Sequence, residues 1–248
     1  MSGDAPRVGT AGWSIPRASR EHFPQSGSQL ERYAARFSCV EINSSFYKPH
    51  RPATYERWAA SVPPGFAFSL KLPKTISHDR RLAACEDPFD AFLLESAGLG
   101  AKRAVLLLQL PPSLAFEISV ARAFFEMVRA RYDGLLACEP RHATWFAQPA
   151  GDDLRRFEVA RVAADPARVP EAARPGGWDG FAYYRWHGSP RTYYSAYGEE
   201  RARDMADLVT AARGPAWCIF DNTTLGAATE DARAFAGHCA ASRSSGTA

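Results

Sequence analysis

"AYYRWHGSPRTYYSAY", residues 182–197, is the stretch on which the fold turns. Tyr183, Arg185 and His187 alternate with Tyr184, Trp186 and Gly188, so a strand here puts an arginine and a histidine on one face. The Gly188-Ser189-Pro190 turn follows at once, which leaves both groups at the strand's C-terminal end. What that face belongs to is decided by the rest of the chain.

Seven further short apolar runs can be read: Arg7–Thr10, Cys39–Asn43, Phe66–Lys71, Ala104–Gln109, Leu135–Glu139, Val159–Asp165 and Trp217–Asn222, which with Phe181–His187 makes eight. Between them lie segments such as "SQLERYAARF", "PATYERWAASV" and "EISVARAFFEMVRARY", with apolar residues at i, i+3, i+4 and arginines opposite. Pro52 suits a first helical turn, and Asp87 ahead of "PFDAF" is a candidate N-cap. The sixth interval, "PARVPEAARPGGWDG", holds too much proline and glycine for a full helix. Strands alternating with helices over 248 residues predict an α/β protein, a (β/α)8 TIM-type barrel in a single domain over 1–240, with a short or irregular sixth helix. Residues 241–248, "ASRSSGTA", are expected to form a disordered tail. An open doubly wound sheet would carry G-x-G-x-x-G after the first strand, and "GTAGWSIP" lacks the third glycine.

Strands covered on both faces should be apolar nearly throughout. Here polar residues gather at the C-terminal ends of seven of the eight: Glu41 and Asn43, Ser69 and Lys71, Gln109, Glu139 and Arg141, Asp165, Arg185 and His187, Asp221 and Asn222. Any one could be a buried salt bridge. In a barrel all of these ends converge on one mouth, where such enzymes keep their active sites.

"GTAGWS", "VEINSSFY" with the proline two residues on, "FSLKLPKTISH", "LLLQLPPS", "CEPRHATWF", "YYRWHG" and "FDNTTLGAATEDA" occur in the order of the consensus blocks of the DUF72 (YecE-like) family, and the chain resembles that family over nearly its whole length. It departs at Asp221, where the family commonly has asparagine, and at "CEPRH", where an acid often precedes the arginine directly. The resemblance implies a TIM-type barrel and no particular reaction. By motif position it marks Trp13, Glu41, Asn43, Tyr47, Lys71, His78, Gln109, Glu139, Arg141, His142, Trp145, Arg185, His187 and Asn222.

The residue types point first to an enzyme that binds a small anionic, phosphate-bearing substrate for hydrolytic or acid–base chemistry. Lys71, Arg141 and Arg185 are the anion binders, Glu41 and Glu139 the base or nucleophile candidates and His187 the acid–base candidate. Asp165 joins Trp13, Asn43, Tyr47, His78, Gln109, His142, Trp145 and Asn222 as a substrate-binding candidate. A divalent metal held by Glu41, Glu139, Asp165, His187 and Asp221 is a lesser alternative, because no H-x-H or H-E-x-x-H spacing occurs and three cations share the mouth. Glu41 and Glu139 could also serve as a glycosidase pair, with tryptophans and tyrosines as stacking faces. A non-catalytic ligand-binding or nucleic-acid module is the third alternative, suggested by Arg191 among Tyr193, Tyr194 and Tyr197 and by "HDRRL".

Composition narrows the setting. Thirty Lys+Arg against 27 Asp+Glu give +3, too balanced to argue nucleic-acid binding from bulk charge. Five dispersed cysteines without C-x-x-C spacing read as reduced core residues of a cytoplasmic protein. No apolar run approaches the ~18 residues of a membrane span, so neither a transmembrane anchor nor a membrane partner is expected. The sequence leaves the oligomeric state open.

Overall fold

The computed structural model describes residues 5–212 and 214–245. Eight parallel strand positions form a ring in chain order: β1 (Arg7–Thr10), β2 (Cys39–Ile42), β3 (Ala67–Lys71), β4 (Arg103–Gln109), β5 (Leu135–Glu139), a sixth position made of β6 (Val159–Arg161) and β7 (Ala163–Asp165), β9 (Ala182–Trp186) and β10 (Ala216–Phe220). The two-residue β8 (Gly176–Gly177) lies antiparallel on β6. This is the TIM-type α/β architecture that the alternating pattern predicts.

Two seams complete the ring. At the sixth position the chain changes partner: β6 pairs with β5, Val162 still donates to the Cys138 carbonyl at 2.8 Å, and β7 pairs with β9. The single strand expected over Val159–Asp165 is thus two short strands. Between β1 and β2 the join is narrow, a bridge from Ala11 to Glu41 with the Gly12 N–H on the Glu41 carbonyl at 2.8 Å. Gly9 permits this approach, since a Cβ there would lie 2.1 Å from the Cys39 carbonyl oxygen.

Seven α-helices flank the strands among the described residues: α1 (Gln29–Ala34), α2 (Pro52–Ala60), α3 (Glu86–Ser96), α4 (Ile118–Arg129), α5 (Gln148–Arg156), α6 (Gly198–Ala211) and α7 (Ala227–Ser245). Ser28 and Glu31 form a reciprocal capping box on α1, and Pro52 opens α2. The expected cap at Asp87 is displaced: α3 begins at Glu86 with Cys85 at the cap, and Asp87 stands in the first turn, where its charge complements the helix dipole. The proline-rich sixth interval holds, besides the two residues of β8, a short 3-10 turn at Pro170–Ala173. Helix α7 continues to Ser245, so residues 241–245 of the expected tail are helical, and 246–248 lie outside the described residues.

Two apolar layers result from the strand alternation. One lies inside the ring and includes Cys39, Ala67, Val105, Leu107, Ala137, Val162, Tyr183, Trp217 and Ile219. The other fills the space between strands and helices. By the two-residue period, the inward face that starts at Cys39, Ala67, Leu107, Ala137, Tyr183 and Ile219 continues toward the C-terminal ends as Glu41, Ser69 and Lys71, Gln109, Glu139, Arg185 and His187, and Asp221. The apolar interior therefore carries a polar layer at the barrel's mouth.

Candidate active site

Arg185 is the centre of that layer and is fully buried. Its Nε and Nη2 donate to Glu41 Oε2 and Oε1 at 3.0 and 2.7 Å, a bidentate pair. Nη2 also reaches Asp221 Oδ2 at 3.0 Å, and Nη1 donates to Glu139 Oε2. One guanidinium thus ties together carboxylates from β2, β5 and the end of β10. A planar fork with five donors suits this role, and a lysine could not make the same contacts.

His187 closes the outer edge. Its Nδ1 stands 3.0 Å from Asp221 Oδ2 and its Nε2 3.1 Å from Glu139 Oε1. Burial disfavours the imidazolium, but Glu139 and the hydrogen bonds to Asp221 and Glu139 outweigh it and hold the pKa above the ordinary value. Glu139 is the converse. Burial opposes its charge, and Arg185, His187 and Arg141 together hold the carboxyl well below its ordinary range. Asp221 is held low in the same way, against burial, by Arg185 and His187. Beneath them the Tyr183 hydroxyl donates to Glu41 Oε2 at 2.9 Å and lies 2.7 Å from Ser69 Oγ.

A cavity of about 440 Å³ opens over this network, lined by Glu139, Arg141, Arg168, His187, Thr192 and Tyr193 among others. Arg141 reaches Glu139 Oε1 through Nε and Nη2 at 3.2 and 3.1 Å, and Tyr193 Oη at 3.3 Å. The Tyr193 ring stands edge-on to His187 at 5.5 Å, and its N–H donates to the His187 carbonyl. Tyr193 is held at φ +70°, a conformation that a bulky residue adopts only when its surroundings impose it. Gly188, at φ +94°, has no room for a side chain: a Cβ would lie 2.7 Å from the Ser195 carbonyl oxygen and 2.9 Å from Asn222 Cβ. The glycine after His187 is therefore a geometric requirement of the turn.

Lys71 and Gln109, at the ends of β3 and β4, differ from the rest. Both are buried, yet among the described residues neither side chain has a hydrogen-bond partner, and no carboxylate comes within 4.0 Å of Lys71 Nζ. The ammonium lies instead 4.1 Å from the centre of the Phe46 ring. Burial and Arg185 push the Lys71 pKa down to about 8, against the opposing pull of Glu41, Glu139 and Asp221. The His78 ring also packs edge-on to Phe46, at 5.0 Å, and burial, Lys71 and Arg141 depress its pKa.

Several expected site residues have other duties. Trp145 is a core residue whose Nε1 donates to the Leu114 carbonyl at 3.0 Å, so it offers no stacking face. His142 caps the turn Ala143–Phe146 by accepting from the Thr144 N–H. Asp165 turns to the Tyr197 hydroxyl at 3.0 Å and Arg201 at 3.1 Å. Asn222 clamps the loop at Ser195 to α7, donating to the Ser195 carbonyl at 2.9 Å and Asp231 Oδ2 at 2.7 Å. Asn43 caps the turn Ser44–Phe46 by position but makes no side-chain cap bond, and its Oδ1 is enclosed without a partner among the described residues. Trp13 packs half-buried on Trp58, and Tyr47 is exposed beside Phe46.

The alternative chemistries meet specific obstacles. Glu41 has no exposed surface and gives its oxygens to Arg185 and Tyr183, so it does not face the cavity as a glycosidase partner for Glu139. Arg185 stands among the carboxylates expected as metal ligands, and no group of three His, Cys, Asp or Glu able to hold a metal ion occurs among the described residues. In "HDRRL", Arg80 donates to the Ala84 carbonyl of its own loop and Arg81 to the Ser113 carbonyl of the loop after β4, so both side chains are engaged within the protein. Among the described residues no helix is long and apolar enough to cross a membrane.

The geometry is that of a TIM-type barrel protein with a charged cluster and cavity at its C-terminal mouth. Residues 7–246 match the family model described as protein of unknown function DUF72, and the chain belongs to that family. It is 31% identical to the Escherichia coli K12 UPF0759 protein YecE over 174 residues, 68% of this chain and 61% of YecE. The Bacillus subtilis UPF0759 protein YunF is 25% identical over 161 residues, 62% of this chain and 56% of YunF. The chain thus matches less than two thirds of either relative's length. Among solved structures, a DUF72 family protein of Enterococcus faecalis V583 superposes with a TM-score of 0.79 at 18% identity, covering 94% of this chain and 95% of that one. A Thermotoga maritima DUF72 family protein gives 0.74 at 22% identity, covering 94% and 98%. These likenesses support the fold.

Proposed function

We propose that the mouth is the active site of an enzyme that binds a small anionic, phosphate-bearing substrate and performs hydrolytic or acid–base chemistry on it. The carrying observation is how the charges are matched. Glu41, Glu139 and Asp221 are each engaged by Arg185, and Arg141 and His187 add contacts to Glu139 and Asp221, which leaves Lys71 as a buried cation with no carboxylate within 4.0 Å among the described residues. A buried charge without a counterion is costly, and an anionic ligand would relieve that cost.

Glu139 is the base or nucleophile in this reading. Its Oε1 accepts from Arg141 and lies 3.1 Å from His187 Nε2, whereas among the described residues Oε2 accepts only from Arg185 and keeps the freer lone pair. Contacts from Arg141, Arg185 and His187 hold its carboxyl well below the ordinary range, which suits a base and disfavours a general acid. His187 acts through Glu139 and Asp221, orienting the one and balancing the other. Arg141 and Lys71 hold the anion, and Tyr193 shields the cavity.

A panel of small phosphate esters tests the proposal, with the wild type and Glu139→Gln compared after circular dichroism has shown equal folding. Turnover of one ester class by the wild type, reduced on the order of 100-fold or more in the variant, is the expected result. Absence of turnover across the panel, or equal rates in both proteins, would contradict it.

A further inference from the structure

Only four of the 30 basic residues are lysines: Lys48, Lys71, Lys74 and Lys102. Lys74 pairs with Asp79 at 3.1 Å, and Lys102 donates to the carbonyls of Ala59 and Val62 at 2.6 and 2.7 Å. Lys48 is exposed. Among the described residues Lys71 is the one buried lysine, at 6% exposure, and it stands on the inward face at the end of β3 with no acceptor. A chain that uses arginine almost everywhere has placed an amine at this point, a cation that can lose its proton near neutrality as a guanidinium cannot.

The surroundings favour that loss. Arg185 stands close enough to repel the Lys71 ammonium, and its guanidinium already engages the carboxylates that would otherwise stabilise the ammonium. Other charged groups of the mouth act in opposite senses: Glu41, Glu139 and Asp221 pull toward the ammonium, and His78 lies within reach of both Lys71 and Arg141. Burial and Arg185 prevail, and the pKa falls to about 8. At about pH 7.5 roughly a quarter of such an amine is unprotonated, against about one in a thousand for an ordinary lysine. Among the described residues Lys71 Nζ is not one of the fully enclosed polar atoms without a partner, although Lys71 does not itself line the 440 Å³ cavity, so a ligand reaches the amine only past that lining.

We propose that Lys71 forms an imine with an aldehyde or ketone group of the anionic substrate. This rests on the anion site proposed above, with Arg141 keeping the anion while Lys71, once deprotonated, takes the carbonyl, and it adds the carbonyl to the description of what that site takes. The Nζ lone pair forms the C–N bond as the carbonyl π pair moves to oxygen. Proton transfer from nitrogen then gives the carbinolamine. Loss of the second amine proton and of the hydroxyl as water leaves C=N, so the two amine hydrogens and the carbonyl oxygen depart together. Protonation of the imine makes it an electron sink for reaction at the adjacent carbon.

Pyridoxal 5′-phosphate, an aldehyde that carries a phosphate, is the probe, used with cyanoborohydride at about pH 7.5 and followed by peptide mapping. Phosphate binding is measured separately by calorimetry on the wild type and on Lys71→Arg, which keeps the cation but cannot form the imine. Expected is one adduct per chain, on Lys71 at least ~10-fold above Lys48 and Lys74, suppressed by inorganic phosphate, with phosphate binding retained in the arginine variant. Trapping of a neutral aldehyde such as glycolaldehyde on Lys71 without phosphate binding would uphold the imine and overturn the anion site. Phosphate binding with hydride-trapped adducts only on Lys48 or Lys74 would overturn the imine and leave the anion site standing. The wild-type trapping experiment decides the matter whether or not the variant folds.

Discussion

Lys71→Met removes a buried ammonium that the fold holds at a disadvantage. The folded pKa of about 8 lies below the ordinary 10.5, so between these values the unfolded chain binds a proton that the native protein has lost. Stability therefore rises with pH across that window in the wild type, and the variant lacks this rise. At one pKa unit per about 1.4 kcal/mol, burying the charged form costs the wild type roughly 3 kcal/mol near pH 7 and about 1 kcal/mol near pH 9.5. Relative to the Lys71→Met protein, the wild type should thus gain about 2 kcal/mol from about pH 7 to about pH 9.5. Urea unfolding of both proteins at several pH values measures this, and groups that titrate alike in both cancel in the difference. A stability difference that stays flat with pH, or that moves in the variant's favour as pH rises, would refute the placement of Lys71 as a buried cation whose ammonium the fold disfavours.

Arg185→Met should cost about 3–5 kcal/mol by urea unfolding, because it leaves Glu41, Glu139 and Asp221 buried without their common partner; a loss under about 1 kcal/mol would contradict the central role of the guanidinium. His187 is held above its ordinary pKa, so it contributes stability that is complete below about pH 6.5 and lost as pH rises through the folded value. Compared with His187→Gln, the wild type should accordingly lose its advantage on the alkaline side, and a constant difference from about pH 5 to about pH 9 would count against the double carboxylate contact. Gly188→Ala should destabilise by about 1 kcal/mol or more in thermal or urea unfolding, since it needs both a positive φ and space that the Ser195 carbonyl occupies; unchanged stability would show that the turn relaxes freely.

The barrel and its charged layer were legible for a local reason: a strand's period is two, so Glu41, Lys71, Gln109, Glu139, Arg185 and His187 could be assigned to strand ends and to faces without knowing any partner. Who binds whom was not legible. Arg185 meets Glu41, Glu139 and Asp221 across 144, 46 and 36 residues of chain, and no local pattern encodes that convergence. Trp145, His142 and Asn222 came from motif position, where a core tryptophan, a cap and a loop clamp look the same as a ligand contact. The break at Val162 left no mark because the exchange of β5 for β9 is a matter of tertiary pairing within a run of apolar residues. Phe46, Tyr183 and Arg168 were missed as neighbours of the site. Tyr183 shares the face of Arg185 and could have been found from the alternation alone, whereas Phe46 and Arg168 sit on loops without a period.

If the mouth's carboxylates are satisfied internally and Lys71 awaits an anion, an oxyanion supplied to the crystal should find that lysine. Crystals soaked in tungstate, a heavy oxyanion with the charge of phosphate, report this through the position of the anomalous peak. Tungstate is expected in the mouth, within hydrogen-bond reach of Lys71 Nζ. Tungstate seated only on exposed arginines outside the mouth, or an empty mouth at saturating anion, would show that the buried ammonium is not an anion site.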